Sequence, residues 1–235
     1  MATSVNHPRC PIVSLPYADE VADRQFSAIL WDFGGVIVSS PFEAFNRYEL
    51  DHGLPHGFIR SVNTHNPLDN AWARLERSDI SPSEFDALFA EESEDLGHRI
   101  QGREVLSLLV GTPRSRMVNA LDRTRESGYT IACLTNNVSA SRDDGPDAEA
   151  STEVQHILGK FHHVVESSKI GVRKPEPRFY EIACATVGAT PPQCVFLDDL
   201  GINLKPAAAL GMHTIKVIDP DVALDELAEL LKLPL

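Results

Sequence analysis

Five short apolar runs, each bounded by turn residues, constrain the fold of this chain more than any other feature. They are four to seven residues long and mostly β-branched or aromatic, which is typical of parallel strands buried on both faces. The predicted strands are Ser27–Phe33, Tyr129–Leu134, Phe161–Val165, Cys194–Leu197 and His213–Ile218. Helical patterns over 114–127, 176–187, 203–210 and 222–232 alternate with them. This alternation predicts an α/β fold, a doubly wound parallel sheet sandwiched by helices.

One interval interrupts the alternation. Between Pro41 and Thr112 the sequence shows no strand pattern, and the interval of roughly 70 residues is too long for a simple crossover. Ser81 and Glu84 fit a capping box with proline at the first helical position. Helical patterns cover 41–51, 55–61, 67–77, 81–95 and 103–110. We therefore predict an all-helical cap over 41–112, an α/β core made of 26–40 and 113–235, and an N-terminal extension over 1–25.

Charge and composition limit the partners and the compartment. The net charge of −13 disfavours nucleic acid, although a local cation would still allow a small anionic substrate. No apolar stretch approaches the roughly 20 residues that span a bilayer, and the N-terminus lacks the pattern of a secretory signal. The four cysteines form no CxxC pair, so free buried thiols in a cytoplasmic protein are expected. The polar stretch 139–151 is predicted to be a mobile surface loop.

Polar residues follow four of the predicted strands. Asp32 follows the first strand and Thr135-Asn136 the second, Lys174 comes a short way after the third, and Asp198-Asp199 follows the fourth. Ligands bind at the carboxyl ends of strands in an open parallel sheet, so these side chains are expected at one edge. Three converging carboxylates would repel one another unless a hard cation such as Mg²⁺ joined them. Lysine, hydroxyl and amide donors suit phosphate oxygens.

Each of these elements has an ordinary explanation when it is taken alone. An aspartate at a strand end is usually a cap or turn residue, and a lysine before a proline is usually solvated. Four such elements in this order, each after a strand, are harder to explain by chance. They predict a site that handles phosphate with the help of a divalent cation.

The same four stretches resemble the motifs of the haloacid dehalogenase superfamily, in its phosphatase branch. They read "WDFGGVIV", "LTNN", "RKPEPRFY" and "FLDDLGINLKPAAALGMHTI", and the resemblance extends from about Ser27 to Ile218. That branch includes domains joined to soluble epoxide hydrolase and to some acyl-CoA dehydrogenases, and neither partner domain is expected within these 235 residues. The resemblance implies a Rossmann-like core with an inserted helical cap after the first strand.

The resemblance also implies a role for each matching residue. Asp32 would be the nucleophile that forms an aspartyl phosphate. Thr135 and Asn136 would hydrogen-bond the phosphoryl group, and Lys174 would neutralise it and keep Asp32 ionised. The implied Mg²⁺ ligands are Asp32, Asp199, Asp198 in direct or indirect contact, and the backbone carbonyl of Gly34.

Gly34 departs from the family pattern, because this position usually carries a second aspartate that acts as general acid and base. Its absence suggests slow turnover, a leaving group that needs little protonation, or an acid from elsewhere. His65 is one candidate for that acid, and a surface histidine is the alternative. Trp72 and Arg74 are candidate substrate contacts from the cap, the alternative being that Trp72 packs in the cap and Arg74 is solvated.

Three functions fit these observations. The leading one is a Mg²⁺-dependent phosphatase for a small phosphorylated metabolite, in which sugar, lipid and isoprenoid phosphates all remain open. The second is a metal-independent dehalogenase-type hydrolase, for which the pair Asp198-Asp199 has little purpose. The third is a non-catalytic module that binds a phosphorylated ligand. A monomer and a homodimer are equally compatible with the sequence.

Overall fold

A single parallel sheet organises the protein, whose computed structural model describes residues 24–137 and 148–235. Its five strands lie in the order β3-β2-β1-β4-β5. They are β1 (Ala28–Trp31), β2 (Thr130–Thr135), β3 (His163–Glu166), β4 (Cys194–Asp198) and β5 (His213–Lys216). Each strand overlaps one of the five predicted runs, and β2, β3 and β4 extend one residue beyond the predicted end, which confirms the predicted α/β fold.

The first strand occupies the centre of the sheet. β1 pairs with β2 on one side and β4 on the other, so that Ile29 lies opposite both Ile131 and Val195. All four residues of β1 are fully buried, and its side chains alternate between two apolar clusters on the opposite faces of the sheet. Burial on both faces explains why this strand reads as a continuous apolar run.

Six helices lie between β1 and β2, and the first five of them fall within residues 41–112. These five are α1 (Pro41–Asp51), α2 (Phe58–Thr64), α3 (Ala71–Glu76), α4 (Pro82–Asp95) and α5 (Gly102–Ser107). They share an apolar cluster of their own, and the predicted capping box of Ser81 and Glu84 is confirmed at the start of α4. Residues 41–112 are here called the helical segment. Their assignment as a separate cap domain remains a prediction.

The helical segment joins the rest of the chain through two hydrogen-bonded stretches of backbone, 37–39 and 112–114. The Ser39 N–H donates to the Thr112 carbonyl at 2.8 Å, and the Arg114 N–H donates to the Ile37 carbonyl at 2.9 Å. Val38 and Pro113 form an antiparallel bridge between these two contacts. The chain therefore leaves and rejoins the sheet region at one place.

The remaining helices cover the two faces of the sheet. They are α6 (Ser115–Glu126), α7 (Ala148–Leu158), α8 (Ser167–Ile170), α9 (Pro177–Val187), α10 (Gly201–Ala209) and α11 (Pro220–Leu231), with a 3-10 turn at Pro191–Gln193. Helix α7 was not predicted from the sequence. The predicted loop over 139–151 lies mostly outside the described residues, and at its C-terminal end it was wrong, because α7 begins at Ala148.

Two further expectations concern the thiols and the membrane. Cys133, Cys184 and Cys194 are free and buried, as expected, whereas Cys10 and the extension up to residue 23 lie outside the described residues. Among the helices that the structure describes, none has the length and apolarity needed to cross a bilayer.

Candidate active site

Three carboxylates meet at the carboxyl edge of the sheet. Asp32 directly follows β1, Asp198 ends β4 and Asp199 comes next, and one oxygen atom from each lies within 4.8 Å of the others. The pairing of Trp31 with Leu197 brings the ends of β1 and β4 level, and the Asp32 N–H donates to the Leu197 carbonyl at 2.9 Å. The register of the two strands thus produces the predicted convergence.

A buried lysine bridges two of these carboxylates. Lys174 Nζ lies 2.8 Å from Asp32 Oδ1 and 2.8 Å from Asp198 Oδ2, and the lysine side chain is 1% exposed. Asp198 also accepts from Asn203 Nδ2 at 3.1 Å and from the Leu200 N–H at 2.8 Å. One ammonium among three carboxylates leaves an excess of negative charge, which is unfavourable in a buried site unless it is compensated.

The pKa values of these groups reflect that excess. Burial raises the pKa of Asp32 well above its usual value, and the charge of Lys174 opposes this shift while Asp198 and Asp199 add to it. Burial, together with Asp198, raises the pKa of Asp199 to about 6. Burial would lower the pKa of Lys174, but Asp198 and Asp32 outweigh it and raise that pKa. A second cation bound beside these carboxylates would oppose the upward shifts of the Asp32 and Asp199 pKa values.

The two glycines after Asp32 differ in what they require. Gly35 has a φ of +79°, and a Cβ atom there would lie 2.2 Å from Asp199 Oδ2, so a side chain is excluded on both grounds. A Cβ atom on Gly34 would meet no atom within 4 Å, and its backbone is outside the left-handed region. The turn and the close approach thus depend on Gly35, whereas Gly34, two residues after the nucleophile candidate, has open space for a side chain.

The Asn136 side chain holds the backbone of Lys174. Its Nδ2 donates to the Lys174 carbonyl at 2.9 Å, and its Oδ1 accepts from the Lys174 N–H at 2.8 Å. The second Nδ2 hydrogen reaches Glu76 Oε2 at 3.2 Å. Both donor hydrogens of this amide are therefore in use. Thr135 ends β2 beside it and is half-buried.

The three residues predicted to reach the site from the cap make contacts inside the helical segment. The Trp72 ring packs edge-on against Phe45 and Phe85, as its alternative interpretation requires. Arg74 and His65 lie near Glu92, whose pKa is raised by burial and lowered by the charge of Arg74. His65 is exposed and lines a cavity of about 380 Å³ together with Glu92. None of these contacts involves the carboxylate cluster, so a substrate role for the three residues remains a prediction.

Glu76 and Arg173 are site residues that the sequence analysis missed. Glu76 is buried on α3 and forms an ion pair with Nε of Arg173, the residue that precedes Lys174. No local pattern singles out Glu76, because it is one of several charges in an amphipathic stretch. Asn203, on α10, was also missed, because nothing in the sequence shows that its amide donates to Asp198.

The fold and the site define a class of protein: a doubly wound α/β protein with a carboxylate–lysine centre at the carboxyl edge of its sheet. Residues 26–211 match the model of one family, described as haloacid dehalogenase-like hydrolases. The chain belongs to this family, which confirms the resemblance of its four motifs.

Several relatives support this assignment. The chain is 32% identical over 217 residues to mouse acyl-CoA dehydrogenase family member 10 and 31% identical over 212 residues to pig bifunctional epoxide hydrolase 2. These alignments cover 90% and 85% of this chain but only 20% and 38% of the relatives, so the chain spans a minor part of their length. It is 25% identical to a sesquiterpene phosphatase of Aspergillus oryzae, covering 87% of this chain and 96% of that protein.

Solved structures show the same fold. A family enzyme of Bacteroides thetaiotaomicron, in complex with magnesium and inorganic phosphate, matches with a TM-score of 0.53 and 21% identity, covering 81% of this chain and 93% of that one. L-2-haloacid dehalogenase from Xanthobacter autotrophicus, with chloropropionic acid covalently bound, matches with a TM-score of 0.56 and 18% identity, covering 87% and 83%.

Proposed function

We propose that this protein is a Mg²⁺-dependent phosphatase that cleaves a small organic phosphate monoester through an aspartyl phosphate on Asp32. The observation that carries the proposal is the cluster of three carboxylates around one buried lysine at the sheet edge. A phosphatase among the relatives and a fold neighbour solved with magnesium and phosphate support it.

The donor set suits Mg²⁺. Its side-chain ligands would be Asp32 and Asp199, with Asp198 in support, and the backbone carbonyl of Gly34 would add a fourth oxygen. All are hard oxygen donors, and the excess of negative charge over Lys174 is what a divalent cation would offset. When bound, Mg²⁺ would neutralise the charge of the phosphate and lessen the repulsion among the carboxylates.

Asp32 would attack through one particular oxygen. Lys174 Nζ and the Phe33 N–H both contact Oδ1, at 2.8 Å and 2.7 Å, which leaves Oδ2 to approach phosphorus. In the first step the Asp32 oxygen bonds to phosphorus, and the bond from phosphorus to the ester oxygen breaks. In the second step water attacks phosphorus, inorganic phosphate leaves and the Asp32 carboxylate is restored.

Lys174 and two residues at the end of β2, Thr135 and Asn136, would bind the phosphoryl group. Lys174 opposes the burial that raises the pKa of Asp32, and it places a positive charge beside the transferring group. The Thr135 hydroxyl and the Asn136 backbone N–H are the donors we assign to the phosphoryl oxygens. The Asn136 side chain is excluded from this role because both of its donor hydrogens are already used.

The open position at Gly34 affects the leaving group. Without a carboxyl group there, the departing oxygen receives no proton from this residue, and such help is typically worth about 10²–10⁴-fold in rate. Glu76 does not replace it, since both of its oxygens accept hydrogen bonds from N–H donors. We therefore expect a preference for esters whose leaving groups are weak bases.

Phosphate release from p-nitrophenyl phosphate tests the proposal. We expect activity with Mg²⁺, its loss in a chelator, and its loss in Asp32→Asn. Asp122→Asn, which removes a half-exposed ion pair with Lys160, should stay active. Acid quenching during turnover of labelled substrate should trap a phosphoenzyme in the wild type alone. Activity that persists in chelator, with halide release from 2-haloacids, would instead establish the dehalogenase alternative. Saturable phosphate binding without turnover would establish the binding module.

A further inference from the structure

Glu76 connects the helical segment to the phosphate-binding side of the sheet. Glu76 is buried, and three side chains donate to its carboxylate. Trp72 Nε1 reaches its Oε1 at 2.8 Å, while Arg173 Nε and Asn136 Nδ2 reach its Oε2. Trp72 lies on the same helix, but the other two partners follow the strands β2 and β3. A fully partnered, buried carboxylate holds its neighbours in one arrangement.

The partners of Glu76 lead directly to Lys174. The Asn136 side chain hydrogen-bonds both the N–H and the carbonyl of Lys174, at 2.8 Å and 2.9 Å. The Lys174 ammonium bridges Asp32 and Asp198. Arg173 is the residue before Lys174, and its Nη1 also donates to the Pro67 carbonyl of the helical segment at 3.1 Å. Glu76 thus contacts both Asn136, which hydrogen-bonds the Lys174 backbone, and Arg173, which directly precedes Lys174.

This ion pair differs from others in the same part of the chain. The side chains of Glu76 and Arg173 are 9% and 15% exposed, whereas Arg103 in the pair with Asp86 is 68% exposed. The Asp86 pair lies within the helical segment and touches no residue of the carboxylate cluster. It therefore provides a matched control of the same charge type.

We propose that Glu76 is a positioning residue for Lys174, acting through Asn136 and Arg173 to hold the lysine ammonium between Asp32 and Asp198. The kinetic consequence rests on the proposed phosphatase function, while the structural link does not. If the Glu76 carboxylate is lost, Asn136 and Arg173 lose a shared hydrogen-bond acceptor. The backbone of Lys174 then becomes more mobile. Displacements of about 1 Å at a reacting group can lower a rate roughly 100-fold.

Two variants test the kinetic consequence. Glu76→Gln keeps the shape of the side chain but offers only one oxygen to three donors. We expect its kcat to fall roughly 10- to 100-fold with KM changed less than about threefold, because Lys174 acts on the transferring group more than on substrate binding. Asp86→Asn should leave kcat and KM unchanged. Arg173→Lys should retain more activity than Arg173→Met, since the lysine keeps a charge beside Glu76.

A second readout needs no activity. Hydrogen exchange at the Lys174 amide, measured by NMR, should accelerate in Glu76→Gln and not in Asp86→Asn, because that amide donates to Asn136 Oδ1. If the Lys174 amide exchanges faster in Glu76→Gln but the wild-type protein releases no phosphate, the structural link is supported and the proposed function is refuted. A lowered melting temperature with unchanged kcat and unchanged exchange would overturn the inference and leave Glu76 a structural residue. Misfolding of Glu76→Gln is checked by its far-UV circular dichroism, and Arg173→Met then serves as the second variant.

Discussion

Gly34→Asp should increase activity toward the esters that the wild type handles worst. A Cβ atom at this position meets nothing within 4 Å and the backbone tolerates a side chain, so the substitution introduces no strain at its base. The backbone carbonyl that we assign to the metal stays in place. The neighbouring variant Gly35→Ala is the matched control, because its Cβ atom would collide with Asp199 at 2.2 Å and should abolish activity.

The size of the gain follows from general acid catalysis. The new carboxyl group would lie two residues after Asp32, at the position where a Cβ atom meets no atom within 4 Å. A protonated acid within reach of the leaving oxygen is worth about 10²–10⁴-fold, or roughly 3–5 kcal/mol of barrier. That gain applies to alkyl phosphates, and p-nitrophenyl phosphate should change little because its leaving group needs no proton.

A leaving-group series measures this effect. Log(kcat/KM) is plotted against the pKa of the leaving group for aryl and alkyl phosphates, in the wild type and in Gly34→Asp. We expect a steep negative slope for the wild type and a shallow one for the variant. Equal slopes would refute the reasoning, because they would mean that another group supplies the proton or that departure of the leaving group is not rate-limiting.

Three further predictions concern the lysine, the metal and the helical segment. Lys174→Met should abolish phosphate release and lower the free energy of unfolding by about 3–5 kcal/mol, since it leaves buried carboxylates unpaired; the exposed Lys169→Met should alter neither. Because the pKa of Asp199 is raised to about 6, ionising it in the metal-free protein costs stability, which we expect to fall as the pH rises from about 4 to 6. The rise in melting temperature caused by Mg²⁺ should accordingly be larger at about pH 8 than at about pH 5.5, and calorimetry showing equal rises would contradict this. Ser81→Ala removes the capping box with Glu84. The free energy of unfolding, measured by urea denaturation, should fall by about 1 kcal/mol while kcat stays unchanged.

The strands and the carboxylate cluster were predictable because both depend on short-range sequence properties. A strand buried on both faces is a local apolar run, and parallel strands bring their carboxyl ends to one edge whatever the details of packing. Asp32, Asp198 and Lys174 could therefore be placed together from their positions after strands.

The contacts of the helical segment were not predictable in this way. Glu76 and Arg173 are 97 residues apart, and no periodicity in the sequence determines how α3 lies against the loops of the sheet. The role of the Asn136 amide depends on the direction of its side chain, and the contrast between Gly34 and Gly35 depends on backbone angles and on the nearness of Asp199. These quantities exist only in the folded chain.

The paired backbone at 37–39 and 112–114 has a consequence for protein engineering. Since the Ser39 N–H and the Thr112 carbonyl are hydrogen-bonded, a turn of a few residues would close the chain if 40–111 were removed. Closing a shorter loop is less costly in chain entropy, although each halving of loop length gains only about 0.6 kcal/mol. The same junction would accept a different helical insert. We expect the shortened chain to retain its sheet and Asp32, but to lose the support that Glu76 gives to Lys174.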